Sequence, residues 1–186
     1  MKVLLLDAFP LDSTDRGLID AALDTLRASG HEVTRRVLCG GPFETFMSPE
    51  ELAAYHGDNP LATPETIEDA AALREAEGLL FCYPTNIFTM PAVLKSWLER
   101  VLVPGVSFVF NANGKVRPGM TNIRRIGMIT TSVHDKAATR RAGDAGRLTI
   151  LRNLRMSCHK LCKRTFVSVP AGQDGTADVK RALSRW

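Results

Sequence analysis

The sequence predicts an α/β chain built on a doubly wound, five-stranded parallel sheet with helices on both faces. Two observations carry that expectation. Short apolar runs alternate with longer segments of helical period, in the order strand, helix, strand, helix. The runs Lys2–Leu6 and Gly78–Tyr83 are apolar throughout, as strands covered on both faces are. The 186 residues show no internal repeat, low-complexity tract or linker, so one domain over residues 1–186 is expected.

The elements follow in order. Lys2–Leu6 ends at Asp7 and reads as a central strand. Gly17–Ser29 is a helix whose Leu18, Ala22 and Leu26 recur every fourth residue, with Gly30 as its stop. Glu32–Val37 sets Val33 and Val37 on one face with Arg35 between them, which suits a sheet edge. Ser48-Pro49-Glu50-Glu51 combines a capping residue, a first-turn proline and a glutamate at the third position. Thr63-Pro64-Glu65 starts another helix that runs to about Ala76. Gly78–Tyr83 is the third strand. Pro91–Leu102 is a helix with Val93, Leu94, Trp97, Leu98 and Val101 on its apolar stripe, and Tyr83 and Trp97 belong to the core where strand and helix bury each other.

Phe108–Phe110 and Lys115-Val116 flank Asn111-Ala112-Asn113-Gly114 as a small hairpin. Arg125–Thr131 is the fourth main strand, Leu148–Leu161 a helix, Thr165–Val169 the fifth strand and Asp178–Trp186 a final helix.

Composition bounds the chain further. With 45% hydrophobic and 24% charged residues, it is balanced like an ordinary globular domain and buries a core without disulfide or metal. The apolar start is too short for a signal peptide, and no run reaches the roughly 20 apolar residues of a membrane span. Cys39, Cys82, Cys158 and Cys162 then read as reduced thiols, and the cytoplasm is the expected compartment. Net charge is +4, yet nine basic residues and only Asp144 as an acid lie between Lys136 and Arg164. That stretch is either a solvated helix face or a surface that attracts phosphate. With 6% aromatics and no nucleic-acid motif, nucleic-acid binding is not expected.

Several chemistries lack their motifs. No G-x-G-x-x-G, no G-x-x-x-x-G-K-[ST] and no G-x-S-x-G occurs. Cys158 and Cys162 lie one turn apart on the expected helix, but no second Cys/His pair completes a zinc site, so no metal is expected.

In an open parallel sheet, ligands sit beyond the carboxyl ends of the strands, near the switch in strand order. Three loops leave those ends: Asp7–Arg16, Tyr83–Met90 and Thr130–Asp135. The first enters a helix through Asp12-Ser13-Thr14-Asp15, where free amides and two hydroxyls could cradle a phosphate or simply cap the helix. In the third, His134 follows the threonines as a candidate acid or an exposed loop histidine.

The second loop carries a recognisable pattern. Tyr83-Pro84-Thr85-x-x-Phe88-x-x-Pro91-Ala92-x-Leu94-Lys95-x-Trp97-x-x-Arg100-Val101 continues into Val103-Pro104-Gly105-Val106-x-Phe108. Arg117-Pro118-Gly119-x-Thr121-Asn122-Ile123-Arg124-Arg125 and Thr130-Thr131 follow. This pattern resembles the NAD(P)H dehydrogenase (quinone) family, bacterial NAD(P)H-dependent oxidoreductases of flavodoxin-like fold, over most of residues 1–160.

The resemblance implies a non-covalent flavin, FMN with FAD as the other option, and NAD(P)H as reductant. It implies a hydride passed through flavin N5 to a quinone-like acceptor, and a homodimer with the site near its interface. Residue by residue, it puts Pro10, Ser13, Thr14 and Asp15 in the phosphate loop. Pro84, Thr85, Asn86, Ile87 and Phe88 run along the flavin edge, and Thr130, Thr131 and Ser132 face the pyrimidine side of the ring. His134 is the catalytic candidate.

Departures are visible too. Phe9-Pro10 stands where histidine-proline is common, and Ser13-Thr14-Asp15 where Ser-Phe-Asn is common. An ionised Asp15 about 4 Å from a phosphate costs on the order of 4 kcal/mol at a near-surface dielectric. Either Asp15 turns away toward a helix N-terminus, or the phosphate sits further off, with Arg16 able to compensate. The alternative function is a binding or regulatory subunit with weakened flavin affinity.

Overall fold

The computed structural model describes residues 1–41 and 43–186. Strands β1 (Lys2–Asp7), β2 (Glu32–Val37), β3 (Gly78–Pro84), β6 (Arg125–Ser132) and β7 (Lys163–Pro170) form one sheet of order β2-β1-β3-β6-β7. Every pairing in it is parallel. Counting these five alone, the order is 2-1-3-4-5, with the switch between β1 and β3. β4 (Phe108–Phe110) and β5 (Val116–Pro118) pair antiparallel as the expected hairpin. β2 pairs only with β1, so it is the predicted edge.

The continuous apolar runs are explained by burial on both faces. Leu4 and Leu6 of β1, with Leu79, Phe81 and Tyr83 of β3, pack under α3 (Pro64–Glu75) and α4 (Ala92–Val101). Val3, Leu5, Leu80 and Ile129 point the other way, under α1 (Gly17–Ala28) and α7 (Thr176–Leu183). On that second face the Trp186 indole lies against Gly78 and Gly127. A Cβ on Gly127 would come within 2.6 Å of the ring, and the indole Nε1 donates to Thr165 Oγ1 at 2.8 Å.

The helical part of the family-like pattern is scaffold. Trp97 Nε1 donates to Asp69 Oδ2 at 2.7 Å. Arg100 pairs with Glu51 at 2.8 Å and Glu65 at 3.0 Å, tying α4 to α3 and to α2 (Pro49–Ala54). Glu51 is also the third residue of the predicted capping box on Ser48. Gly119 lies so close to Val106 O and Phe108 N that a side chain there would collide with backbone.

The structure departs from the sequence reading in three places. The helix over Leu148–Leu161 is instead a run of three short turns: α6 (Ala145–Leu148), a wide π turn Thr149–Asn153 and a tight 3-10 turn Leu154–Ser157. It stops at Ser157 because the Met120 amide takes the Ser157 carbonyl at 2.9 Å and Cys158 turns extended. Cys158 and Cys162 therefore do not share a helix. Both are nonetheless buried, their thiols donating to Leu154 O and Lys163 O at 3.7 Å each, and the neighbouring Cys162 thiol together with burial pushes the Cys158 thiol up. The second is an element left unassigned from the sequence: α5 (Lys136–Ala142) has no buried residue and hence no apolar period to read. It is held at its start by Asp135, which accepts from the Ala138 amide at 2.7 Å. Third, α7 ends at Leu183, short of Trp186.

Candidate functional site

The carboxyl ends of β1, β3 and β6 bring the three predicted loops together. The loop after β1 is organised by Asp7, which is fully buried. Its carboxylate takes Arg35 of β2 at 2.6 Å and Arg16 at 3.0 Å, and accepts the Phe9 amide at 3.1 Å. Arg16 also donates to Pro10 O at 3.3 Å. An unpaired buried carboxylate is costly, so two guanidinium groups hold it, and the loop is wound around one of them. Arg16 is therefore committed to Asp7 rather than spare for a phosphate. Sequence reasoning missed this cluster. Its signal was an acid ending an apolar strand, with Arg35 and Arg36 on the strand beside it.

Ser13 starts the 3-10 turn Thr14–Arg16 and accepts the Asp15 amide at 3.2 Å. Capping uses an oxygen lone pair and leaves the hydroxyl proton free to donate. Asp15 turns away: its Oδ1 accepts the Gly172 amide, on the loop after β7, at 2.9 Å. Of the two arrangements open to it, that is the one adopted in kind, although the amide it meets is on another loop rather than at the helix start. Pro10 and Thr14 are exposed on the same loop.

After β3 the chain makes a two-residue turn. Asn86 and Thr89 exchange amide–carbonyl bonds of 2.9 Å each way. Ile87 and Phe88 between them have φ of 47° and 58°. Left-handed backbone is costly for a β-branched residue and marks a place the surroundings over-determine. Among the described residues neither amide at this tip is hydrogen-bonded, so both are open to a ligand. The turn is fastened to β6 by the Thr85 amide, which donates to Thr131 O at 2.7 Å.

Thr130, Thr131 and Ser132 end β6 and are buried. Ser132 Oγ accepts the His134 amide at 3.1 Å, which curls the loop back toward β3. The exposed His134 ring then stacks on Phe88, with centroids 4.3 Å apart and planes at 23°. Pro84 and Thr85 are half-buried beside them, and Asn86 is exposed. The sequence-predicted residues of the second and third loops are thus one constellation. The first loop joins it through the Ala8 amide, which donates to Cys82 O at 2.8 Å.

This donor set fits a flavin. Free amides at Ile87 and Phe88 and the polar end of β6 suit a ring edge. The Ser13 hydroxyl at the start of a turn suits a phosphate, with Asp15 turned off it. No cluster of potential metal ligands occurs among the described residues. Nor does any helix among them have the length and apolarity to cross a membrane.

The basic segment is not one helix face. Five of its nine cations, Lys136, Arg140, Arg147, Arg152 and Arg164, come from α5, α6, the π turn and β7 to wall a cavity that opens beside His134.

Comparison with known proteins agrees with this architecture. A family profile described as flavodoxin-like fold matches residues 1–185. The FMN-dependent NADH:quinone oxidoreductase of Gluconacetobacter diazotrophicus is 39% identical over 126 residues, covering 61% of this chain and 61% of that protein. The match thus spans about three fifths of that relative's length. Among solved structures, an NAD(P)H:quinone oxidoreductase from Methanothermobacter marburgensis superposes with a TM-score of 0.79 at 19% identity, covering 100% of this chain and 96% of that one. An FMN-dependent NADH-azoreductase from Bacillus anthracis, in complex with FMN, gives 0.75 at 15% identity, covering 99% and 98%. At those identities the structures establish the fold.

Proposed function

Since the chain belongs to the flavodoxin-like fold family whose profile spans it, we propose that it is a flavin-dependent oxidoreductase that takes a hydride from NAD(P)H and delivers it to a quinone-like acceptor. The observation that carries this reading is the Asn86–Thr89 turn. It is a strained turn with open amides, tied to the end of β6 and covered by His134. Strain of this kind is kept where a ligand needs it. The curated relative's name points the same way.

FMN, once bound, supplies the two-electron chemistry. The protein's own part is positioning. Ser13, with Thr14 and Pro10 beside it, holds the phosphate end. Pro84, Thr85 and the amides of Ile87 and Phe88 line the ring edge, Asn86 adds a polar group there, and Thr130, Thr131 and Ser132 close the far side. His134 is the group with a proton to give to an acceptor oxygen.

Asp15, bonded to Gly172, no longer argues for a subunit of weakened flavin affinity. The reading includes a homodimer, in which a second copy covers the exposed Ile87 and Val133, and a reducing cytoplasm, where four free thiols persist.

The test is direct. The purified protein is mixed with FMN or FAD, desalted, and its visible spectrum and NAD(P)H bleaching recorded. Retained yellow FMN and bleaching on addition of a quinone are expected. A colourless protein that bleaches nothing with either flavin would overturn the reading.

A further inference from the structure

The basic segment walls a cavity of about 540 Å³ beside the proposed flavin edge. That volume lies in the usual range for small-molecule sites. Its rim carries Lys136, Arg140, Arg147, Arg152 and Arg164, with Asp144 as the single carboxylate. Asp144 is occupied: it caps α6 by accepting the Arg147 amide at 3.1 Å.

None of the five cations has a carboxylate within ion-pair distance among the described residues. Five unneutralised cations around one cavity repel one another and focus a field that an anion relieves.

The lining is mixed, with Thr139 and Ser168 beside apolar side chains. Leu148, Leu151 and the Phe166 ring lie inside it, and the Arg147 guanidinium sits over Phe166 at 4.6 Å. An aromatic ring and a planar guanidinium together suit a flat, electron-rich heterocycle. His134 is common to this cavity and to the Phe88 stack, so the two sites share a wall.

We infer that this cavity binds the adenosine phosphate half of the reductant, with the purine on the Arg147 guanidinium that lies over Phe166 and the phosphates on the arginine rim, and that it selects NADPH over NADH. The inference rests on the proposed hydride-transfer function for its biological sense, but not for its test. The diphosphate common to both nucleotides brings two negative charges, too few for five cations. The 2′-phosphate of NADPH adds about 1.5 to 2 more.

The test uses binding first. Calorimetric titration of 2′,5′-ADP and of 5′-AMP, which differ by the 2′-phosphate alone, into the protein as purified reads the cavity whether or not the flavin reading holds. The 2′,5′-ADP is expected to bind about tenfold tighter or more, a modest return for one charge-assisted contact. The double variant Arg152→Gln/Arg164→Gln, both at exposed positions, should bring the two nucleotides to parity. In the flavin-loaded enzyme, the same variant should raise KM for NADPH about tenfold and KM for NADH far less. Equal affinity of the wild type for the two nucleotides would overturn the inference. So would a preference that survives in the double variant, since the nucleotide would then bind elsewhere. If binding behaves as expected and NAD(P)H is never oxidised, the function proposed above fails while the nucleotide site stands.

Discussion

The rings of Phe88 and His134 stack 4.3 Å apart, and that pair joins the turn after β3 to the loop after β6. A flat partner at position 134 preserves the stack, whereas only histidine also supplies a proton. His134→Phe should therefore keep flavin affinity and NAD(P)H oxidation but slow quinone reduction by about 10²-fold, the lower range for a lost general acid. Stopped-flow measurement of the two half-reactions separates these effects. Equal rates of quinone reduction in variant and wild type would remove His134 from the proton transfer.

Ile87 holds a left-handed backbone at 89% exposure in the single chain, so packing within the chain gives it nothing in return. At protein concentrations low enough to leave the single chain, Ile87→Gly should raise stability by about 1 kcal/mol, read as a shift in the urea midpoint. Flavin affinity should fall in the same variant, because the turn then samples other conformations before binding.

Asp7 is the one carboxylate holding both Arg16 and Arg35. Asp7→Asn leaves two guanidinium groups facing a neutral amide and should cost about 3 kcal/mol in chemical denaturation. Since Arg16 also ties down the Pro10 carbonyl, the β1 loop should show faster amide exchange in the variant.

Asp15→Asn should leave flavin affinity within about twofold of wild type, because the carboxylate is bonded to Gly172 and not aimed at the phosphate. Fluorescence titration with FMN checks it. A large gain in affinity would show that the carboxylate reaches the phosphate in solution.

The Tyr83 hydroxyl is buried without a hydrogen-bond partner among the described residues, and a Cβ on Gly146 would come within 2.6 Å of it. Tyr83→Phe should thus be neutral or stabilise by about 1 kcal/mol. Gly146→Ala should destabilise by about 1–3 kcal/mol alone, and by less on the Tyr83→Phe background. Burial, with Asp144 nearby, pushes the Tyr83 phenol up from its ordinary 10.0. The folded state therefore holds that proton more tightly than the unfolded chain. The resulting stability is present below the ordinary value and is lost as pH rises above it. Tyr83→Phe should flatten that part of the alkaline decline in a pH series of melts.

The sheet was legible because β1 and β3 bury both faces and so leave unbroken apolar runs. The second and third loops were legible because their residues are contiguous: Thr85 to Phe88 in one, Thr130 to His134 in the other. What escaped depends on partners far away in the chain. Asp15 and Gly172 are 157 positions apart, and no local pattern announces their bond. Arg16, read as a spare cation, is claimed by Asp7. The segment 145–157 misled for a different reason. Its apolar spacing fits an α-helix, but a π turn followed by a 3-10 turn absorbs the same residues with a different pitch. Arg147 and Arg152 consequently face one cavity, while Arg155 turns to the Cys162 carbonyl.

Trp97 and Trp186, the two tryptophans of the chain, lie in different hydrophobic layers, one on each side of the sheet. Trp97 is clasped by Asp69, and Trp186 is pinned to Thr165 over Gly127. Each layer thus contains its own optical reporter. With Trp97→Phe and Trp186→Phe made separately, the remaining indole emission follows the assembly of one side alone. Coincident refolding traces mean that the two sides close together around β1 and β3; separated traces give the order in which the sheet is covered.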